Sequence, residues 1–185
     1  MTRANGVVRA CACELYTLME TARFTRKPRM RQRLFDELNA LFDWSYRYLL
    51  LPVSGRSHWS FLIVENFLHP GSATIYHVNS MKKAHSSAYA FDVLNWFLAK
   101  THEKSFESAA AFECRTFVYD TKSQQTNCAD CGIYVLHYMD TISKHIATDR
   151  PGPIEEKVAE WASGGFNATK AAAYRSHLYR ELLLK

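Results

Sequence analysis

The clearest periodicity in the chain lies behind a polar loop, Asp120 to Asp130, where Val135, Tyr138, Met139, Ile142 and Ile146 recur at helical spacing. Apolar residues three and four apart share one face, so a helix with a buried stripe is predicted from about Cys131. Met30, Leu34, Leu38, Leu41 and Phe42 predict another over Pro28–Phe42, with its proline in the first turn, where the missing N–H breaks no bond. Tyr89 to Leu98 reads as a third, with Val93, Trp96 and Phe97 on its apolar side. Tyr46 to Leu51 reads as a strand ended by Pro52. Trp59, Phe61 and Ile63 alternate with Ser60, Leu62 and Val64, a strand covered on both faces. His69-Pro70-Gly71 marks a turn, and Ala73 to Asn79 is the returning strand. Cys114 to Tyr119 is a short strand of aromatic and β-branched character. A helix over Ile154–Trp161, a break at Gly164-Gly165 and a final helix to about Leu184 close the chain. The first 25 residues carry no pattern that assigns an element. Helices flanking a small, mainly antiparallel sheet make an α+β fold, and 185 residues suffice for one domain with its own core.

Composition narrows the class without naming a function. A hydrophobic content of 48% with 22% charged residues is that of a globular chain and excludes disorder. No uncharged apolar run is long enough to span a membrane, and Arg9 and Glu14 interrupt any secretory core at the N-terminus. Five cysteines at irregular spacing, an odd number, point to a reducing intracellular compartment, cytoplasmic or nuclear, rather than a disulfide framework. The net charge of +5 is concentrated: six of the eleven residues from Arg23 to Arg33 are basic. A solvated face is the first reading of that run, with an acidic protein partner or an import patch next. Nucleic acid is not an expected partner, because no nucleic-acid motif accompanies it.

Cys131, in QTNCADCG, stands where a helix begins. Helix N-termini offer partial positive charge and free N–H groups, a setting that suits an anionic sulfur. Position alone fits a buried structural cysteine better. Cys128 and Cys131 also match CxxC, but a structural zinc site wants four ligands and Cys11-x-Cys13 is poorly spaced to complete it, so no metal or other cofactor is expected. A nucleophilic thiol needs a base. His137 and His145 lie on the helix of Cys131 itself, the latter about 21 Å along it. His58 opens one hairpin strand and Asn79 ends the other, and their midpoint falls close to the turn, so a direct cross-strand pair is predicted. Cys–His–Asn is a working triad: the amide oxygen orients the imidazole but does not stabilise imidazolium as a carboxylate would. His77, on the same face two residues before Asn79, competes as base. The Cys131 N–H and a side-chain amide, Gln124 or Gln125, are candidates for an oxyanion site.

LLLPVSGRSHWSFLIV, YHVNSM, QTNCADCGIYVL and, more loosely, AYRSHLYRELLL together resemble the ubiquitin-like-specific cysteine proteases, the SUMO-deconjugating type of the adenain-like clan. His58-Trp59, Asn79-Ser80, Gln125 and Asp130-Cys131-Gly132 follow that family's order and spacing from about Tyr46 to the end. The resemblance implies a papain-like fold, with residues 1–45 divergent or truncated relative to the family, and selects His58 over His77 and Gln125 over Gln124. It implies that Cys131 attacks, His58 is the base, Asn79 orients it and Gln125 holds the oxyanion. Trp59, Asp130 and Gly132 would contact substrate, the indole roofing a channel for a modifier's Gly-Gly tail. The implied partner is a ubiquitin-like modifier and its conjugates, SUMO before a deneddylase-type modifier or ubiquitin, acted on by a monomer. Two features depart from the family: its usual Asp is Asn79, and its N-terminal Trp-Leu-Asn-Asp stretch is absent. They sustain an alternative, a modifier-binding module impaired in catalysis, beside a thiol acetyltransferase of the same clan.

Overall fold

The computed structural model describes residues 7–41, 43, 45–55, 57–68, 73–106, 112–122, 124, 125, 127, 129–149 and 153–184. The His69-Pro70-Gly71 turn and Cys128 lie outside these. Five strands, β1 (Val8–Ala10), β2 (Tyr48–Gly55), β3 (His58–Glu65), β4 (Ala73–Asn79) and β5 (Cys114–Asp120), form one sheet in the order β1-β2-β3-β4-β5. The helices are α1 (Glu14–Phe24), α2 (Pro28–Leu41), α3 (Ser87–Phe106), α4 (Cys131–Asp149), α5 (Glu155–Glu160) and α6 (Ala168–Leu183), with a π-helical turn at Trp161–Gly165 before α6. The fold is α+β, as the periodicities indicate, but the sheet is mixed. β2–β3 and β3–β4 are antiparallel, whereas β1–β2 and β4–β5 are parallel.

Strand alternation sorts the core into two layers. Leu49, Leu51, Val53, Leu62, Val64 and Ile75 face α1, α2 and α3. Tyr48, Leu50, Phe61, Ile63, Tyr76 and Val78 face α4, α5 and α6, where the predicted stripe of Val135, Tyr138, Met139, Ile142 and Ile146 is buried in full. Both sheet faces are therefore dry, which is why β3 reads as an almost continuous apolar run.

Three sequence expectations need correction. Pro52 does not end β2; it pairs with Phe61 inside the strand. β1 reaches only Leu50, so β2 is an edge at Pro52 on that side and no ladder bond is lost to the missing N–H. The β3–β4 register is Phe61↔Val78 and Leu62↔His77, two residues from the predicted one, so His58 and Asn79 are not directly opposed. A two-residue slip preserves the face, and diagonal neighbours remain within reach of long side chains. Finally, residues the sequence left unassigned form β1 and α1; α1 packs Leu15, Tyr16, Met19 and Ala22 into the core.

Candidate active site

His58 is the first residue of β3, directly after Ser57, whose φ of 60° lies in the left-handed region common in tight hairpin turns. Its Nε2 lies 2.7 Å from Asn79 Oδ1. The same Oδ1 is 3.1 Å from the Met81 backbone nitrogen. A backbone N–H only donates, so that atom is the amide oxygen and His58 Nε2 must carry a proton to bond it. Nδ1 of the neutral ring is then the basic nitrogen. Burial lowers the His58 pKa from the ordinary imidazole value, the bond to Asn79 opposes this, and the neighbouring His85 lowers it further. The lone amide oxygen cannot offset burial as a carboxylate would.

His77, the competing base, is fully buried and has both nitrogens engaged, Nδ1 with Ser87 Oγ at 2.7 Å and Nε2 with Ser60 Oγ at 2.9 Å. Burial, with His85 and His58 nearby, holds it down at about 4. Of the two glutamines, Gln124 accepts from the Lys82 N–H at 2.5 Å and donates to the Thr121 carbonyl, which spends its amide on the loop. Gln125 is buried, with Oε1 receiving the Ser80 hydroxyl at 3.0 Å and Nε2 donating to the Asn127 carbonyl.

The segment leading to Cys131 hangs on the end of β4. Thr121 N donates to Asn79 O at 3.1 Å, and Gln125 N donates to Ser80 O at 2.8 Å. The dipeptide Asn79-Ser80 thus holds the His58 ring on one side and Gln125 on the other. Asn127 then shapes the approach to α4, its Oδ1 accepting from Ala129 N and Asp130 N at 2.9 and 3.0 Å. Asp130 pairs with Arg175 of α6 and accepts from Asn127 Nδ2 at 2.9 Å, so its carboxylate braces the loop. Cys131 is the first residue of the 19-residue α4 and is 4% exposed. A Cβ built on Gly132 meets nothing within 4 Å among the described residues, which leaves room for an approaching backbone. Trp59 is half-buried against the α4 layer, on the face opposite His58.

The other described cysteines are held as thiols. Burial pushes Cys11 up to about 12 and raises Cys114, and the hydrogen bond with Glu14 raises Cys13. Among the described residues no cluster of three or more His, Cys, Asp or Glu is arranged to hold a metal. Sequence reasoning passed over Asn127, Arg175 and His85. Asn127 three residues before Asp130 was a legible turn signal, but the other two act across the fold and leave no local trace.

The profile of the Ulp1 protease family, C-terminal catalytic domain, matches residues 19–162. The chain belongs to the Ulp1 protease family. That match begins in α1, well before the Tyr46 boundary of the motif resemblance, and stops before α6. The domain is accordingly that of a cysteine protease. Among solved structures, this Ulp1-family chain is similar to a de-sumoylating protease with TM-score 0.70 and 18% identity over 97% of the chain and 71% of that protein. It is similar to the SUMO protease Ulp1 with its catalytic cysteine oxidized to a sulfenic acid, at TM-score 0.54 and 17% identity over 91% of the chain. It is also similar to the Xanthomonas campestris effector XopD bound to ubiquitin, at TM-score 0.52 and 15% identity over 78% of the chain. The chain spans 65% of the length of each of the last two. At such identities these likenesses establish the fold. No curated protein matches the chain by sequence.

Proposed function

We propose that the chain is a thiol peptidase and isopeptidase that cleaves after the C-terminal Gly-Gly of a ubiquitin-like modifier, with SUMO the first expectation. The observation that carries it is the double use of Asn79-Ser80, which bonds His58 at 2.7 Å and Gln125 at 3.0 Å and so ties the base to the loop of Cys131. In this reading His58 Nδ1 takes the thiol proton and the sulfur attacks the glycine carbonyl carbon. The resulting oxyanion is met by the Cys131 N–H and by the second Gln125 Nε2 hydrogen, the first being spent on Asn127. The C–N bond breaks as His58 returns the proton to the leaving amine, which leaves a thioester. Water, deprotonated by His58, attacks the thioester, frees the modifier's carboxylate and restores the thiol. Open space over Gly132 suits the passage of a Gly-Gly tail, and the half-buried Trp59 suits its roof. The whole chain is read as one domain acting as a monomer, in a reducing intracellular compartment that suits its four described free thiols.

Relatives named as SUMO proteases favour SUMO, and the XopD complex keeps ubiquitin among the substrates to test. The test is hydrolysis of fluorogenic C-terminal amides of SUMO, a deneddylase-type modifier and ubiquitin, beside a Cys131→Ala control. Turnover of one modifier that the control lacks is the expected result. Binding without turnover of any would replace this reading with a modifier-binding module, and acetyl transfer from acetyl-CoA to Cys131 would replace it with an acetyltransferase.

A further inference from the structure

Beside His58 runs a chain of side-chain hydrogen bonds that neither the acid–base steps nor the oxyanion site uses. Its directions follow from one fixed end. The Gly55 carbonyl can only accept, so His85 Nε2 donates to it at 2.8 Å. The Ser60 hydroxyl, which receives a hydrogen from His77, has its own hydrogen left for His85 Nδ1 at 2.7 Å. Ser60 Oγ accepts from His77 Nε2 at 2.9 Å, and His77 Nδ1 accepts from Ser87 Oγ at 2.7 Å. Ser60 and His77 are fully buried, so reversing one bond would strand a polar atom in a dry site. The chain ends against the base: the His85 and His58 rings lie 4.9 Å apart, edge to face at 67°.

One hydrogen bond to Asn79 fixes a point on the His58 ring but not its plane, since the imidazole can still rotate about the Nε2···Oδ1 line. We propose that His85 is a positioning residue. Anchored by the Gly55 carbonyl and the Ser60 hydroxyl, its ring sets the plane in which His58 presents Nδ1 to Cys131. This rests on the reading of His58 as the base for Cys131. The dependence is greater here than with a carboxylate partner, because an amide oxygen holds imidazole less firmly. His85 itself is half-buried on the loop between β4 and α3, and it borders a cavity of 360 Å3 shared with Tyr16 and Glu20 of α1 and Tyr89 of α3. Lys82, Lys83 and Asp120 flank its other side. His58 and His77 are the further titratable groups beside it.

The test reads the pH dependence of Cys131 alkylation by iodoacetamide in the full chain, quantified on the Cys131 peptide by mass spectrometry. It needs no identified modifier. His58→Ala defines the profile without a base. His85→Phe keeps a ring of similar shape but loses both anchors; its alkylation rate near neutral pH is expected to fall roughly tenfold and its profile to move toward that of His58→Ala. His85→Gln, whose amide nitrogen can still reach the Gly55 carbonyl, is expected to recover part of the loss. Ser60→Ala is expected to move the profile the same way and carries the test if His85→Phe melts early. A wild-type profile in His85→Phe or Ser60→Ala, beside an altered His58→Ala, overturns this inference alone. A wild-type profile in His58→Ala overturns the reading of the base and this inference with it.

Discussion

Replacing Asn79 by aspartate changes one atom's charge in a buried place, and the outcome can be worked from the geometry. Asn79 is 2% exposed, and its Oδ1 already accepts from His58 Nε2 and the Met81 N–H, so a carboxylate oxygen fits without rearrangement. A 2.7 Å N···O contact puts the charge centres about 4.5 Å apart, and at an effective dielectric of about 20 the attraction is ~3.7 kcal/mol. That is just under ~3 pKa units, and observed shifts of this kind run about 1–3 units, so a rise of about 2 units in the His58 pKa is expected. Burying the new carboxylate costs stability but is common to both His58 states, so it does not reduce the shift. In the parent chain burial depresses the His58 pKa, so the associated stability is present above the unfolded-state value and lost as pH falls below it. In Asn79→Asp the folded pKa lies above the parent's, so the ion pair's stabilisation is full below the parent's folded value and lost as pH rises through the variant's. The variant should therefore gain thermal stability relative to the parent as pH falls through the interval between the two His58 pKa values. The assay is NMR titration of the His58 ring in a Cys131→Ala background, with kcat/KM profiles in the active background. A His58 pKa that stays or falls would show that residue 79 does not face Nε2.

Other outcomes follow from the same contacts. His77, held at about 4 by burial and its histidine neighbours, should lose up to about 3 kcal/mol of stability as pH falls from about 6.5 to about 4. Thermal melts across that window, flattened by His77→Gln, are the check. Ser80→Ala removes the hydroxyl from Gln125 Oε1, so kcat should drop by roughly tenfold with KM little changed, measured by steady-state hydrolysis. Tyr76→Phe takes a 2.7 Å donor from buried Glu65, whose Oε1 has no partner among the described residues and whose Oε2 would keep, among them, the Ile154 N–H at 3.4 Å. Urea unfolding should show a loss of about 1–3 kcal/mol.

What the sequence revealed followed the range of the interactions concerned. The α4 stripe from Val135 to Ile146 was legible because burial on one face imposes a local period, and β4, buried at every position, because a turn signal precedes it. β1 was not, since three residues are too few to show a period and its parallel partner lies 40 residues on, Val8 against Tyr48. In α1 the buried set Leu15, Tyr16, Met19 and Ala22 does have helical spacing, but exposed Leu18 and Phe24 blur it. Proline misled at residue 52 because edge status depends on β1, which is remote in sequence. His58 and Asn79 were brought together by parity along a hairpin, which survives a slip of two residues. His85 was invisible for the opposite reason, because its role depends on Gly55 and Ser60 across two strands.

The central claim is that Cys131 is the nucleophile served by His58. Its most direct measurement is peptide mapping, by mass spectrometry, of the adduct formed with a SUMO probe bearing a C-terminal electrophile. A single adduct on Cys131 is expected, absent in Cys131→Ser and slowed by about a hundredfold or more in His58→Ala. An adduct on Cys11, Cys13, Cys114 or Cys128, or an unchanged rate in His58→Ala, would contradict it.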